Sequence, residues 1–196
     1  LRKLGVEQDT LLWFNSDNGP SWVHELNSSG PLRGQKGDVY EGGIRVPAAV
    51  VWPNGIKGGR AVSVPVAAVD LLPTLAAVAG TAPTKKLPLD GENVLPILQG
   101  KTTSRRGLLY YDYPVREGSE TWRPGETRQV AVIDGPWKLV SMDGRKSFQL
   151  YDLEHDIAEK TDLAAGHVDE VRRLQQSLGT WTQQVTASAR GADYKK

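Results

Sequence analysis

The sequence predicts a mixed α/β protein, in which a strand–loop–strand–helix segment precedes a small antiparallel sheet with a C-terminal helix. Short apolar runs at 10–14 and 46–52 predict the first two strands. Asp134-Gly135 and Asp143-Gly144 separate three later strand-like segments, and Asp-Gly is a strong hairpin signal. Apolar residues recur at spacings of three and four from Val168 to Val185, which is typical of an amphipathic helix.

The composition is that of a folded globular protein with no special surface. The 196 residues are 39% apolar and 24% charged, which is enough for a sizeable core. The chain has 24 Lys and Arg and 23 Asp and Glu, so its net charge is +1. No stripe of basic residues favours binding to nucleic acid. No apolar run approaches the roughly 18 residues of a membrane span. The absence of cysteine excludes disulfides and thiolate metal ligands, and nothing in the sequence indicates the oligomeric state.

The first half predicts part of a larger sheet. The run at 10–14 is interpreted as a buried parallel strand that enters a Gly-rich loop over 19–46. Loops of that length are usually functional or disordered. After the strand at 46–52, Asp70 is predicted to cap a helix that runs to Val78 and ends at Gly80. The apolar residues of this helix lie at positions that share one face: Leu71, Leu72, Leu75 and Val78.

Two strands cannot close a parallel sheet, so we expect further strands upstream of Leu1. The first nine residues resemble the end of a helix, with Gly5 as its C-cap. The second half predicts an antiparallel meander, and the domain boundary is placed between 1–104 and 105–196. The four predicted strands of this meander are Leu108–Tyr113, Gln129–Ile133, Trp137–Met142 and Ser147–Leu153.

Asp17 and Asn18 are candidate metal ligands. They follow the end of an apolar strand, and in open α/β sheets ligands bind beyond the carboxyl ends of the strands. A carboxylate beside an amide carbonyl offers hard oxygen donors, which suit Ca²⁺ or Mg²⁺ and not zinc. The alternative is an ordinary turn, because Asn-Gly is a leading turn dipeptide.

Arg33 and Lys36 are candidate anion ligands. Both cations stand among glycines, which let the backbone approach a tetrahedral oxyanion closely. A basic surface loop would have the same composition. Glu41 and Arg45, which flank Gly42-Gly43, are interpreted as a structural ion pair. His24 lies in the same loop and could act as a general acid, or it could be an exposed histidine without a role.

The combination of these segments is more specific than its parts. Residues 16–20, 30–37 and 40–47 together strongly resemble the metal-and-sulfate loop of the type I, formylglycine-dependent sulfatases, whose best known members are arylsulfatases. The resemblance continues over nearly the whole chain, through Trp52-Pro53, Val69–Leu75, Asp90-Gly91, Leu95–Gly100, Trp137–Leu139, Leu150–Leu153, Asp156 and Glu159.

The resemblance implies an alkaline-phosphatase-like α/β sandwich, of which this chain would be the C-terminal part, with a small antiparallel sheet and a C-terminal helix. It implies that Asp17 and Asn18 are two ligands of a divalent cation, usually calcium, with Mg²⁺ as the alternative. Lys36 matches the catalytic lysine that contacts the sulfate ester; Arg33 and His24 are weaker candidates for substrate binding. The implied substrate is a sulfated small molecule or carbohydrate, and the implied location is periplasmic or extracellular.

The chain departs from the family pattern at the nucleophile. The family makes its formylglycine from the first residue of a Cys/Ser-x-Pro-x-Arg motif. Here there is no cysteine, and Ser63-Val-Pro65 is followed by Val66-Ala67 without the arginine. Ser29 to Arg33 fits the spacing of the motif, but residues 30–37 already match the metal-and-sulfate loop. We therefore expect the nucleophile and the first metal carboxylates in an N-terminal half upstream, and the chain alone to be inactive. His24 falls in a variable stretch, so the resemblance gives it no role.

Two alternatives to a sulfuric ester hydrolase stay open. One is a related phosphoester or phosphonate-ester hydrolase, because the chemistry of the oxyanion overlaps and Asp17, Asn18 and Lys36 do not separate the two. The other is a non-catalytic remnant that binds a metal or a glycan. The upstream sequence would discriminate among them.

Overall fold

The computed structural model describes residues 1–21, 28–82, 89–114 and 128–194. The strands are β1 Leu12–Asn15, β2 Ala48–Val51, β3 Leu109–Pro114, β4 Arg128–Asp134, β5 Trp137–Ser141 and β6 Gln149–Asp152. The helices are α1 Glu41–Ile44, α2 Leu71–Val78, α3 Leu95–Leu98 and α4 Val168–Ala189. In the part of the chain so described, no helix combines the length and the apolar character that crossing a membrane requires.

The chain forms two compact units, each made of discontinuous segments. Unit 1 comprises Leu1–Ser16 and Pro47–Leu108, and unit 2 comprises Asp17–Val46 and Leu109–Lys196. The Gly-rich loop therefore belongs with the C-terminal sheet. The boundary between residues 104 and 105 stays a prediction, and the insertion of 17–46 into unit 2 is a feature that no local sequence signal indicates.

In unit 1, β1 and β2 form an antiparallel ribbon in which Leu12 pairs with Val51. Trp13 and Val50 pack on a core of Val94, Ile97 and Leu98. The prediction of a buried parallel strand at 10–14 was wrong for this structure. Side chains alternate along a strand, so Leu12 and Phe14 point away from that core and are 55% and 63% exposed.

Helix α2 ends as predicted, at Gly80 in a left-handed conformation with φ of 66°. Of the four apolar residues predicted to share one face of this helix, Leu72 and Leu75 are exposed, and Thr74 is the buried residue. Thr74 is held by a hydrogen bond that its hydroxyl accepts from the Val94 amide at 3.0 Å.

Asp70 does not cap α2 through its side chain. Its carboxylate accepts hydrogen bonds from the amides of Ala67 and Glu92, both at 2.9 Å. It also forms a buried pair with the Arg105 guanidinium, at 3.1 Å. The predicted cap is therefore wrong: the carboxylate joins segments that are distant in sequence.

Unit 2 confirms the predicted meander, an antiparallel sheet in the order β3-β4-β5-β6. Asp134 pairs with Trp137 across the tight turn at Gly135, whose φ is 56°. Asp143-Gly144 lies in the longer connection between β5 and β6. The sheet and helix confirm the expected α/β class.

The two faces of this sheet have different partners. Helix α4 covers one face with buried Leu174 and Leu178, and Tyr110 of β3 stacks on Trp181 with ring centroids 4.9 Å apart. Val39 and Tyr40 of the Gly-rich loop pack on the other face, against Ala131, Val140 and Tyr151. The loop is therefore a structural layer of unit 2.

The connection between β5 and β6 provides a first prediction. The Asp143 carboxylate accepts hydrogen bonds from the Ser147 hydroxyl and amide, the Ser141 hydroxyl and the Lys146 amide, and these bonds lower the pKa of Asp143 from 3.8 to about 2. A lowered folded-state pKa stabilises the protein above pH 3.8, and this contribution is lost as pH falls towards 2.

We therefore expect Asp143→Ala to lower the Tm at pH 7, and the difference from the wild type to shrink between pH 4 and 2. Thermal unfolding across this pH range measures it. Glu154→Ala, which removes an exposed carboxylate with no hydrogen bond to another described residue, is the control and should leave the Tm unchanged. A Tm difference between Asp143→Ala and the wild type that stays the same at all pH values would contradict the lowered pKa of Asp143.

Candidate functional site

The candidate site is built on three backbone segments that stack on one another. The Gly19 amide donates to the Gly43 carbonyl at 2.9 Å, and the Gly42 amide donates to the Arg33 carbonyl at 2.6 Å. The Lys36 amide donates to the Pro20 carbonyl at 2.9 Å. The segments that carry Asp17-Asn18 and Lys36 are thereby joined through their backbones.

Glycine is required where these segments touch. A Cβ atom on Gly19 would lie 1.9 Å from the Gly42 carbonyl oxygen, and one on Gly43 would lie 2.1 Å from that of Asp38. A Cβ on Gly42 would lie 2.1 Å from the Gly34 carbonyl oxygen. Because the obstructing atoms are backbone, no side-chain rotation relieves these clashes, and the double glycine sets the spacing of the loop.

Asp17 and Asn18 stand at the start of this loop. Asp17 is exposed, and among the described residues its carboxylate has no hydrogen-bond or ion-pair partner. Within the same residues, no group of three or more His, Cys, Asp or Glu side chains could hold a metal ion. The two side chains fit part of a site for a hard cation, as carboxylate and amide donors beside a fixed backbone, and further ligands would have to come from elsewhere.

The two predicted anion-binding cations are placed differently. Lys36 is exposed, and its ammonium has no partner in the described parts of the chain. Arg33 donates to the Tyr151 hydroxyl at 2.9 Å and to the Glu159 carbonyl at 3.1 Å, and its guanidinium carbon lies 3.9 Å from the Tyr40 ring centre. The geometry gives Arg33 a structural role, and its substrate binding stays a prediction. His24 lies outside the described residues.

A buried charge cluster lies beneath the loop. The Lys138 ammonium, on β5, donates to Glu41 Oε1 at 2.8 Å and lies 2.9 Å from Glu159 Oε1. The side chain of Lys138 and that of Glu159 are fully buried, and that of Glu41 is 4% exposed. Burial raises the pKa of Glu159, and the charge of Lys138 opposes that rise. The predicted Glu41–Arg45 pair is present at 3.4 Å, but Lys138 is the closer partner.

Further polar contacts connect the sheet to the loop. The Gln129 side chain, on β4, accepts a hydrogen bond from the Val39 amide at 3.0 Å and donates to the Gly37 carbonyl. The Tyr40 hydroxyl donates to Gln149 of β6 at 2.6 Å. Sequence reasoning missed Gln129 and Lys138 as site-supporting residues. The available signals were the polarity of both residues within predicted strands and, for Lys138, the family match of Trp137–Leu139.

A family model for the C-terminal region of N-sulphoglucosamine sulphohydrolase matches residues 35–186. The match covers most of the chain. This chain belongs to the sulfatase family. The predicted resemblance to this family is therefore confirmed.

Human arylsulfatase A is 35% identical over 191 residues, which are 89% of this chain and 37% of that protein. Mouse steryl-sulfatase is 39% identical over 121 residues, which are 58% of this chain and 19% of that protein. The matched part of the sulfatase chain therefore spans 37% of the length of arylsulfatase A and 19% of that of steryl-sulfatase.

Solved structures agree on the fold. Ps i-CgsB in complex with k-i-k-neocarrahexaose superposes with a TM-score of 0.79 at 30% identity, over 92% of this chain and 38% of that one. The phosphonate monoester hydrolase of Agrobacterium radiobacter superposes with a TM-score of 0.68 at 24% identity, over 94% and 37%. These matches confirm the predicted alkaline-phosphatase-like fold.

The stacked glycines give a second prediction. In this sulfatase chain, Gly42→Ala should lower the Tm and increase hydrogen exchange at the amides of Arg33 to Gly43, because the new methyl group must displace backbone. Gly179→Ala is the matched control: it lies in α4 with nothing within 4 Å of the added Cβ, so it should stabilise the helix by up to about 1 kcal/mol. Equal changes in Tm and in hydrogen exchange for the two substitutions would show that the backbone around Gly42 accommodates a methyl group without cost.

Proposed function

We propose that this sulfatase chain provides the second part of the metal and sulfate site of a sulfuric ester hydrolase. The observation that carries the proposal is the stacked loop, which joins the Asp17-Asn18 segment and the Lys36 segment through the Gly19 and Lys36 amides. The carboxylate of Asp17 and the ammonium of Lys36 have no partner among the described residues, so both are available to ligands.

Asp17 and Asn18 would hold a divalent cation, for which we propose calcium with Mg²⁺ as the alternative. When bound, the cation would supply positive charge to the oxygens of the sulfate group. Lys36 would bind a sulfate oxygen and stabilise the negative charge that develops as the ester bond breaks. The formylglycine nucleophile of the family would come from residues outside these 196.

The substrate class follows from the family and not from the described residues. We propose a sulfated small molecule or carbohydrate, and the oligosaccharide complex of Ps i-CgsB supports the carbohydrate. The implied periplasmic or extracellular location also stays a proposal. The fold shared with a phosphonate monoester hydrolase keeps phosphonate esters as the second candidate substrate class.

The third prediction tests the two ligand roles in the full-length protein that contains this chain. Asp17→Ala and Lys36→Met should each lower kcat/KM for p-nitrophenyl sulfate by a factor on the order of 10²–10³, because each removes charge that stabilises the reacting sulfate. Calcium binding, measured by calorimetry, should weaken in Asp17→Ala and remain in Lys36→Met.

Lys101→Met, which removes another exposed lysine, is the control and should retain wild-type activity. Phenyl phosphonate esters are assayed beside the sulfate ester. A preference of the wild type for the phosphonate would replace the proposed substrate class. Full activity of either ligand variant would refute its assigned role.

The fourth prediction is that the 196-residue chain alone does not turn over sulfate esters. It contains no cysteine, and its Ser-x-Pro-x-Arg match, Ser29 to Arg33, lies in the Gly-rich loop, where Arg33 is bonded to Tyr151 and Glu159. We therefore expect charge stabilisation to act without an attacking group other than water. The purified chain is assayed with calcium and p-nitrophenyl sulfate beside the matured full-length protein. Turnover within about tenfold of that protein would place the nucleophile inside this chain.

A further inference from the structure

We infer that Lys138, Glu159 and Gln129, on and beside the C-terminal sheet, are positioning residues that hold the Gly-rich loop so that it presents Lys36 to the sulfate group. The inference rests on the proposed function for the role of Lys36. None of the three residues is placed to be a catalytic residue: Lys138 and Glu159 are fully buried beneath the loop, and Gln129 is 4% exposed.

Hydrogen bonds of this cluster reach the backbone of the loop. Glu159 Oε2 accepts a hydrogen bond from the backbone amide of Glu41 at 2.6 Å, and Lys138 binds the Glu41 side chain. The Gln129 side chain bonds the Gly37 carbonyl and the Val39 amide, one and three residues after Lys36. The sheet therefore fixes the loop through its main chain on the C-terminal side of Lys36.

The charges of the cluster are balanced. Lys138 and Arg45 offset the two carboxylates of Glu41 and Glu159, and three of the four side chains are at least 96% buried. Buried ion pairs contribute little net stability compared with apolar side chains of similar volume, because desolvation of the charges is costly. Their directional bonds do specify a geometry, which an apolar contact would not.

The backbone of Glu159 has a φ of 52°, which lies in the left-handed region and costs a non-glycine residue about 1 kcal/mol or more. In this conformation its carboxylate contacts Lys138 and the Glu41 amide, while its carbonyl oxygen accepts a hydrogen bond from Arg33. One residue thus holds the loop on both sides of Lys36.

The experiment uses the full-length protein with Lys138→Met, Glu159→Gln and Gln129→Leu, with its formylglycine content checked by mass spectrometry. Lys138→Met keeps the length of the side chain but leaves two buried carboxylates without their shared cation. We expect kcat/KM for p-nitrophenyl sulfate to fall by about 100-fold, the size of effect that a displacement of about 1 Å has on a reacting geometry. Inhibition by inorganic sulfate should weaken in parallel.

Arg105→Met is the matched control, because it breaks a buried ion pair with Asp70 and the hydrogen bonds to the carbonyls of Pro65 and Gly107. None of these partners lies in the loop. Arg105→Met should lower the Tm to a similar degree and leave kcat/KM per folded molecule within about threefold of the wild type. The double variant Lys138→Met/Glu159→Gln restores the charge balance, so its loss should be smaller than the sum of the two single losses.

If Lys138→Met does not fold, Gln129→Leu decides the question, because it removes only two neutral hydrogen bonds to the loop. A lowered kcat/KM and weaker sulfate inhibition in Gln129→Leu support positioning. Wild-type values in Gln129→Leu, or in Lys138→Met at a lowered Tm, overturn it and leave the cluster a purely structural one.

Hydrogen exchange separates this inference from the proposed function. In Lys138→Met the amides of Val39, Glu41 and Gly42 should exchange about tenfold faster or more, while those of β4 and β5 keep their protection. If the wild-type protein cleaves no sulfate ester, the proposed function fails, and calorimetry with inorganic sulfate on the same variants then tests whether the sheet positions Lys36. Unchanged exchange and unchanged sulfate binding would overturn the inference by themselves.

Discussion

The structure of unit 2 depends on one buried ammonium. Lys138 lies inside the protein between Glu41 and Glu159, on the face of the sheet that is turned away from helix α4. An isolated charge there would cost several kcal/mol, so each of the three groups is stable in its place only while the other two are present. Because Glu41 belongs to the Gly-rich loop and Glu159 to the segment after β6, this mutual requirement connects chain segments that are more than 90 residues apart.

A loop as long as 19–46 loses much conformational entropy when it becomes ordered, and it has few apolar side chains with which to offset that loss. Two other kinds of contact offset that loss in place of apolar packing. Glycines let backbone segments approach until amides and carbonyls bond directly, as at Gly19 and Gly43. Side chains of the sheet then satisfy backbone groups of the loop, as Gln129 does. Both leave the side chains of Asp17 and Lys36 available to ligands.

Local signals in the sequence were sufficient for the meander and for α4, because strand alternation, the tight turn at Gly135 and helical spacing are set by neighbouring residues. They were insufficient where burial depends on distant segments. The apolar run at 10–14 does not indicate what covers Leu12 and Phe14, and Asp70 bonds Glu92 and Arg105 instead of capping α2. Asp17, Asn18 and Lys36 could be proposed from residue type and position, and the ordered family motifs then favoured these roles over an ordinary turn or a basic surface loop. Lys138 and Glu159 lie in segments that match the family, but their contacts could not be predicted. The partners of Lys138 are 97 and 21 positions away along the chain, and the residue types Lys and Glu do not indicate which residues pair.

The two units differ in how complete their cores are, and this bears on where a catalytic loop can be held. Unit 1 leaves Leu12, Phe14, Val51 and Leu72 exposed, so within the described residues its apolar surface is only partly covered. In unit 2 the sheet is covered on one face by α4 and on the other by the loop, and Val130, Leu139 and Leu150 are fully buried. A closed core resists displacement, because interiors are close-packed and small shifts cost contacts on all sides. Lys36 is therefore attached, through Gln129, Lys138 and Glu159, to the part of the chain whose geometry is determined by its own packing.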